Sequence, residues 1–121
     1  MPTTKQLNAF VAKVTAGDYV QAIEDFYSAD ASMQENQSPP RVGRDALAAH
    51  ERSALARVQS IRTTLAEVLA NDDDRVVIHW VFEITDSAGK LRALDELTVQ
   101  AWRDEKIIRE QFFYDPAQLK T

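Results

Sequence analysis

The stretch RVVIHWVFEIT, residues 75–85, decides the fold. Its side chains sort with period two: Ile78, Trp80, Phe82 and Ile84 fall on one face, His79, Val81 and Glu83 on the other. Successive strand residues point to opposite faces, so this is a half-buried β-strand with its aromatic side toward a core. Turn signals bracket it. Asn71-Asp72-Asp73-Asp74 precedes it and Asp86-Ser87-Ala88-Gly89 follows. Three more strands surround it, at about 61–70, at Leu91–Arg103 and at Lys106–Tyr114, the last stopped by Asp115-Pro116. If Ser87-Ala88-Gly89 forms a three-residue loop with a bulge, Phe82 pairs with Leu94. Glu96, Thr98, Gln100 and Trp102 then face inward. A four-residue loop would reverse the face, but glycine stands where the bulged loop needs a left-handed residue.

Working toward the N-terminus, the period changes. Thr3 and Gln6 have capping-box spacing, and Leu7, Phe10, Val11 and Val14 follow at helical intervals. Gly17 stops this helix. Asp18 is expected to cap a second one carrying Tyr19, Ala22, Ile23 and Phe26. Residues 31–36 return to alternation, with Ala31, Met33 and Glu35 on one face, and Ser38-Pro39-Pro40 ends that strand. Arg44 to Arg57 reads as a third helix, with Leu47, Glu51, Leu55 and Val58 on its apolar side and His50 beside them. Helices come early and antiparallel strands late, which is the α+β pattern, and residues 1–121 read as a single domain.

Composition narrows the chemistry. The 121 residues include no cysteine, which excludes disulfides, thiolate metal sites and a cysteine nucleophile. Three scattered glycines cannot build a dinucleotide or phosphate loop. With 14 basic and 19 acidic residues the net charge is −5, which argues against nucleic acid and anionic membranes as partners. His50 and His79 are not spaced as a metal pair, and Asp72–Asp74 lacks the spacing of a calcium loop, so no metal and no cofactor is expected. MPTTKQLNAF has no apolar run of signal-peptide length, and a cytoplasmic location is the expectation.

The inward faces mix aromatic side chains with Glu35, Glu96, Thr98, Gln100, Glu110 and Tyr114. So many polar groups do not belong in a solid core, and they point to a pocket with apolar walls. In the last strand Ile108, Glu110, Phe112 and Tyr114 are expected to share the inner face. Glu35, beside Ala31 and Met33, is expected in an apolar setting that suits a general base. Glu110 is the candidate partner acid, and His50 a group that titrates near neutrality. Phe10, Tyr27, Met33, Trp80, Phe82, Thr98, Gln100, Trp102, Phe112 and Tyr114 are the candidate ligand contacts. Val81, Leu97, Val99 and Ala101 put an apolar strip with His79 on the outer sheet face, and a homodimer through that face is the expected cover.

Four segments carry a family resemblance. They are Ala16-Gly17-Asp18, Tyr27-Ser28-Ala29-Asp30-Ala31-Ser32-Met33, Pro40-Arg41-Val42-Gly43-Arg44-Asp45-Ala46-Leu47, and Val99 to Ile108. Their order and spacing resemble the SnoaL-like branch of the nuclear-transport-factor-2-like superfamily, which includes ketosteroid isomerases, polyketide cyclases, limonene epoxide hydrolases and scytalone dehydratases. The resemblance covers about residues 4–116. It implies a cone-shaped, curved antiparallel sheet wrapped by three helices around a hydrophobic cavity, often in a homodimer. It also implies cofactor-free acid/base chemistry on a small apolar carbonyl compound: isomerisation, cyclisation, hydration or dehydration. Glu35 falls on the isomerases' proton-moving aspartate. Their oxyanion tyrosine falls near Phe10 and their second donor at or near Thr98. Losing one such donor typically costs about 10²–10³ in rate. A non-catalytic ligand-binding or dimerisation module is therefore the alternative implied by the same residues.

Overall fold

Helix α1 (Thr4–Thr15) starts where the capping signal places it: the Thr3 hydroxyl accepts from the Gln6 N–H at 3.1 Å. The reciprocal half of the box is replaced by a tertiary contact. Gln6 Nε2 donates to the Glu105 carbonyl at 3.1 Å, and the Glu105 carboxylate takes the Thr3 N–H and hydroxyl. Gly17, at φ +87°, turns the chain after α1 while the Gly17 and Asp18 amides close onto the Val14 and Lys13 carbonyls. Helix α2 (Tyr19–Phe26) follows, and the Asp18 side chain makes no capping bond.

The computed structural model describes residues 2–120. After α2 come β1 (Tyr27–Glu35), β2 (Arg41–Val42), α3 (Arg44–Ala56), β3 (Val58–Asp72), β4 (Arg75–Asp86), β5 (Leu91–Arg103), β6 (Lys106–Phe113) and a 3-10 turn (Pro116–Leu119). The six strands form one sheet in the order β2-β1-β6-β5-β4-β3. The α+β class stands, with two corrections. The sheet is mixed: β1 runs parallel to β6, while every other neighbouring pair is antiparallel. No turn signal can announce a pairing between strands so far apart in sequence. And Ile107, fully buried, takes the inner position expected of Ile108, because a bulge between Ala101 and Trp102 pairs Trp102 with Ile107 and Ala101 with Arg109.

The β4–β5 hairpin adopts the bulged form, and Phe82 lies opposite Leu94. Gly89 sits at φ +86°, and Asp86 Oδ1 accepts from the Ala88 and Lys90 amides at 3.0 and 2.9 Å. This register turns Glu96, Thr98, Gln100 and Trp102 inward, and all four are buried.

The core is built around Phe10. Its ring meets Phe26, Tyr27, Trp80 and Trp102 edge-on, with centroids 5.5 to 6.4 Å away. Such T-shaped contacts match ring edge to ring face and contribute beyond the area they bury. Leu7, Val14, Ile23, Leu47 and Ile78 complete the packing of helices on sheet. Among the described residues no helix is long and apolar enough to cross a membrane.

Candidate functional site

Packing of the helices on the sheet leaves a cavity of about 310 Å³ between α1, α2, α3 and the inner faces of β1 and β3 to β6. Phe10, Ile23, Trp80 and Phe82 give it apolar walls, and four carboxylates, Glu35, Glu51, Glu96 and Glu110, converge on it. Its basic or imidazole-bearing residues are the exposed Arg41 and the half-buried His50. Among the described residues no ion pair reaches any of the four glutamates.

Glu110 anchors the floor. It lies across from Gln100 on β5 and beside Met33 on β1, and is 2% exposed. The Tyr27 hydroxyl donates to one oxygen. The Thr98 hydroxyl (3.1 Å) and Gln100 Nε2 (2.6 Å) donate to the other. Trp102 Nε1 in turn fixes the Gln100 amide at 2.9 Å. Burial pushes the Glu110 carboxyl up from its ordinary range, and the three donors offset only part of that rise. Burial, with the charge of Glu110 added, drives the Tyr27 phenol well above its usual value, so Tyr27 holds its proton.

Glu96 is built differently. Strand β5 places it directly opposite Trp80 and between Leu94 and Thr98 on the same face. It is 7% exposed, lines the cavity, and its carboxyl has no hydrogen-bond partner among the described residues. Desolvation, then the charges of Glu110, Glu35 and Glu51, lift it to about 8, so near neutral pH it is mostly a protonated acid. Glu51, half-buried on α3, is raised by burial and by Glu35.

Of the residues expected at the site, Glu35, Glu110, His50, Phe10, Tyr27, Met33, Trp80, Phe82 and Phe112 line the cavity. Thr98, Gln100 and Trp102 do not; they form the hydrogen-bonded layer behind Glu110. Tyr114 also lies off the wall, donating its hydroxyl to Glu35 at 3.1 Å. Burial and the nearby Glu35 raise this phenol to about 12. The apolar setting expected for Glu35 is not found. It sits exposed at the rim, because β1 ends there and the chain turns away through Ser38 and Pro39. The buried, unpartnered carboxyl is Glu96, whose inward face the β4–β5 register already indicated. Glu51 and Tyr19 were legible only as members of helix faces.

A family model described as a SnoaL-like domain matches residues 7–110. The chain belongs to this SnoaL-like family. Solved structures share its fold. A candidate polyketide cyclase from Pseudomonas putida superposes with a TM-score of 0.83 at 20% identity, over 98% of this chain and 96% of that one. A second, from Xanthomonas campestris pv. campestris, gives 0.82 at 22% identity, over 96% and 92%. A candidate isomerase from Bacillus subtilis gives 0.75 at 18%, over 96% and 88%. No curated protein matches in sequence. At these identities the likeness of the SnoaL-like domain to its neighbours is one of architecture. Phe10 is spent on packing four rings, and the Thr98 hydroxyl is committed to Glu110.

Proposed function

We propose that this SnoaL-like protein is a cofactor-free acid–base catalyst for a small, largely apolar carbonyl compound. The reaction would be an isomerisation, cyclisation, hydration or dehydration that begins with proton removal beside the carbonyl. The observation that carries the reading is Glu96: a buried carboxyl aimed into an apolar cavity with nothing to bond. A neutral acid there donates its O–H to a carbonyl oxygen and stabilises the enolate as charge develops on it, the work an oxyanion donor does. Glu35, at the mouth and held by Tyr114, is the base that takes the proton from carbon. The Tyr27–Glu110–Thr98–Gln100 network keeps the floor rigid. Glu110 already accepts three hydrogen bonds, so it positions Tyr27 instead of acting as the partner acid, and His50 is left to orient the ligand from α3. The geometry fits acid and base on different carboxylates with different environments.

The test is hydrogen–deuterium exchange at the α-carbon of a panel of small enolisable ketones, followed by proton NMR. The wild-type chain should catalyse exchange, and Glu35→Gln should lower it at least about a hundredfold, the scale expected for a general base. Unchanged exchange in Glu35→Gln refutes the base assignment. No exchange with any ketone, together with measurable binding, favours a second reading. In that reading the cavity only holds its ligand, which the loss of a hydroxyl at Phe10 supports.

The outer sheet face supports a homodimer. Leu65, Leu97 and Phe113 lie on it, 44%, 39% and 37% exposed, next to the His79–Asp95 pair at 2.7 Å. We propose that a second copy covers this strip.

A further inference from the structure

We propose that the ligand of this cavity is a cation: a carbonyl compound that also bears an ammonium group with apolar substituents. The ammonium would be held by Glu51 against the aromatic wall of Tyr19, Phe82 and Trp80. This rests on the reading of the cavity as a carbonyl site and adds the charge of the substrate to it.

The aromatic wall is continuous. Phe82 stacks on Trp80 with centroids 5.7 Å apart and planes 23° off parallel, and Tyr19 meets Phe82 edge-on at 6.1 Å. All three line the cavity. Their positions are fixed, Trp80 by Phe10 and Tyr19 by hydrogen bonding to Thr63 and the Ile61 carbonyl. Glu51 reaches the same space from α3, close enough that its charge raises the Tyr19 phenol after desolvation has done so. Its carboxylate has no hydrogen bond or ion pair among the described residues. Several aromatic rings with one carboxylate make a surface that attracts an organic ammonium through both ring quadrupole and charge.

The rest of the cavity excludes the alternatives. An anionic substrate would meet the acidic side chains of Glu35, Glu51 and Glu110, and among the described residues lining the cavity Arg41, at the exposed rim, is the one arginine or lysine to offset them. A neutral one would leave the Glu51 carboxyl without a partner in the cavity. A metal ion is disfavoured because, among the described residues, no group of three or more His, Cys, Asp or Glu is placed to hold one. The acids are spread along a wall of rings, which suits a large, weakly hydrated cation. Glu96, more than nine-tenths buried and unpartnered, marks the other end of the same ligand, where its carbonyl oxygen would lie.

The probes are three acetophenones of one shape and three charges: 4-acetylphenyl-trimethylammonium, its neutral isostere 4-tert-butylacetophenone, and 4-acetylbenzoate. Each is titrated calorimetrically into the full-length chain at pH 7. The cation should bind about tenfold or more tighter than the isostere, the scale of a partly desolvated cation–aromatic contact. The benzoate should bind weakest. Glu51→Gln should bring the cation within about threefold of the isostere. The wild-type comparison needs no variant to fold, so it stands by itself. An isostere that binds as tightly as the cation overturns this inference and leaves the carbonyl reading in place. A preference for the cation that survives Glu51→Gln overturns it equally. Failure of all three to bind overturns both.

Discussion

Replacing Glu96 by glutamine should change how stability depends on pH. The unfolded carboxyl ionises near 4.5 and the folded one near 8. Below 4.5 both states hold the proton, and Glu96 contributes its full share to the fold. Between the two values only the unfolded state ionises, so stability falls as pH rises, by about 1.36 kcal/mol per unit. Above 8 the loss is complete. The three units from pH 5 to pH 8 therefore amount to roughly 4 kcal/mol, a large part of the 5–15 kcal/mol usual for a domain. Glutamine has nearly the same shape and cannot ionise. Glu51 and Glu110 are also raised and slope the same way, so the difference between wild type and Glu96→Gln reads Glu96 together with its coupling to them. Urea unfolding at pH 5, 6, 7, 8 and 9 gives that difference directly. The variant should gain on the wild type by roughly 4 kcal/mol across the series. A difference that stays constant with pH would mean that Glu96 is solvated in the folded protein, and the neutral-acid assignment would fall with it.

Other outcomes follow from the same packing. Glu110→Ala strands the Tyr27, Thr98 and Gln100 donors in a buried layer. At about 1–3 kcal/mol for each unsatisfied group, the loss should reach at least roughly 3 kcal/mol in chemical denaturation. Phe10→Ala removes the ring that four others pack against and should cost about 3–5 kcal/mol, read as a lower urea midpoint with an unchanged slope. Leu97→Glu combined with Phe113→Glu puts like charges on paired positions of β5 and β6 on the outer face. Analytical ultracentrifugation should then show half the wild-type mass with an unchanged circular dichroism spectrum.

Much of the architecture could be read from local signals. Alternation at Ile78, Trp80 and Phe82 gave β4 its faces, and Gly89 selected the loop that turns Glu96 inward. These are short-range constraints: a glycine that must adopt positive φ, a period that matches one secondary structure. The parallel β1–β6 pairing and the bulge that displaces Ile108 depend on which strands meet after collapse, and no residue announces that. The site divided the same way. Glu35, Glu96 and Glu110 were legible as inward acids from parity. Which of them lies deep and which at the rim depends on where β1 stops relative to the helices. The rings that line the cavity with Glu51 come from α2 and β4, so their convergence is a tertiary fact.

The parallel contact between β1 and β6 also bears on how the chain reaches its final form. Tyr27 and Ile107 are register partners, so the edge formed by β1 and β2 joins the sheet only after β6 has left the ribosome. Contacts this distant carry a loop-closure cost that local hairpins do not, and they slow folding. The β3–β4–β5–β6 meander can assemble stepwise from neighbouring strands. Until β1 docks, β6 remains an open edge, and that edge carries Glu110 without its Tyr27 donor. The cavity is thus a late product of folding, and a truncated or stalled chain would present an unpaired strand to its neighbours.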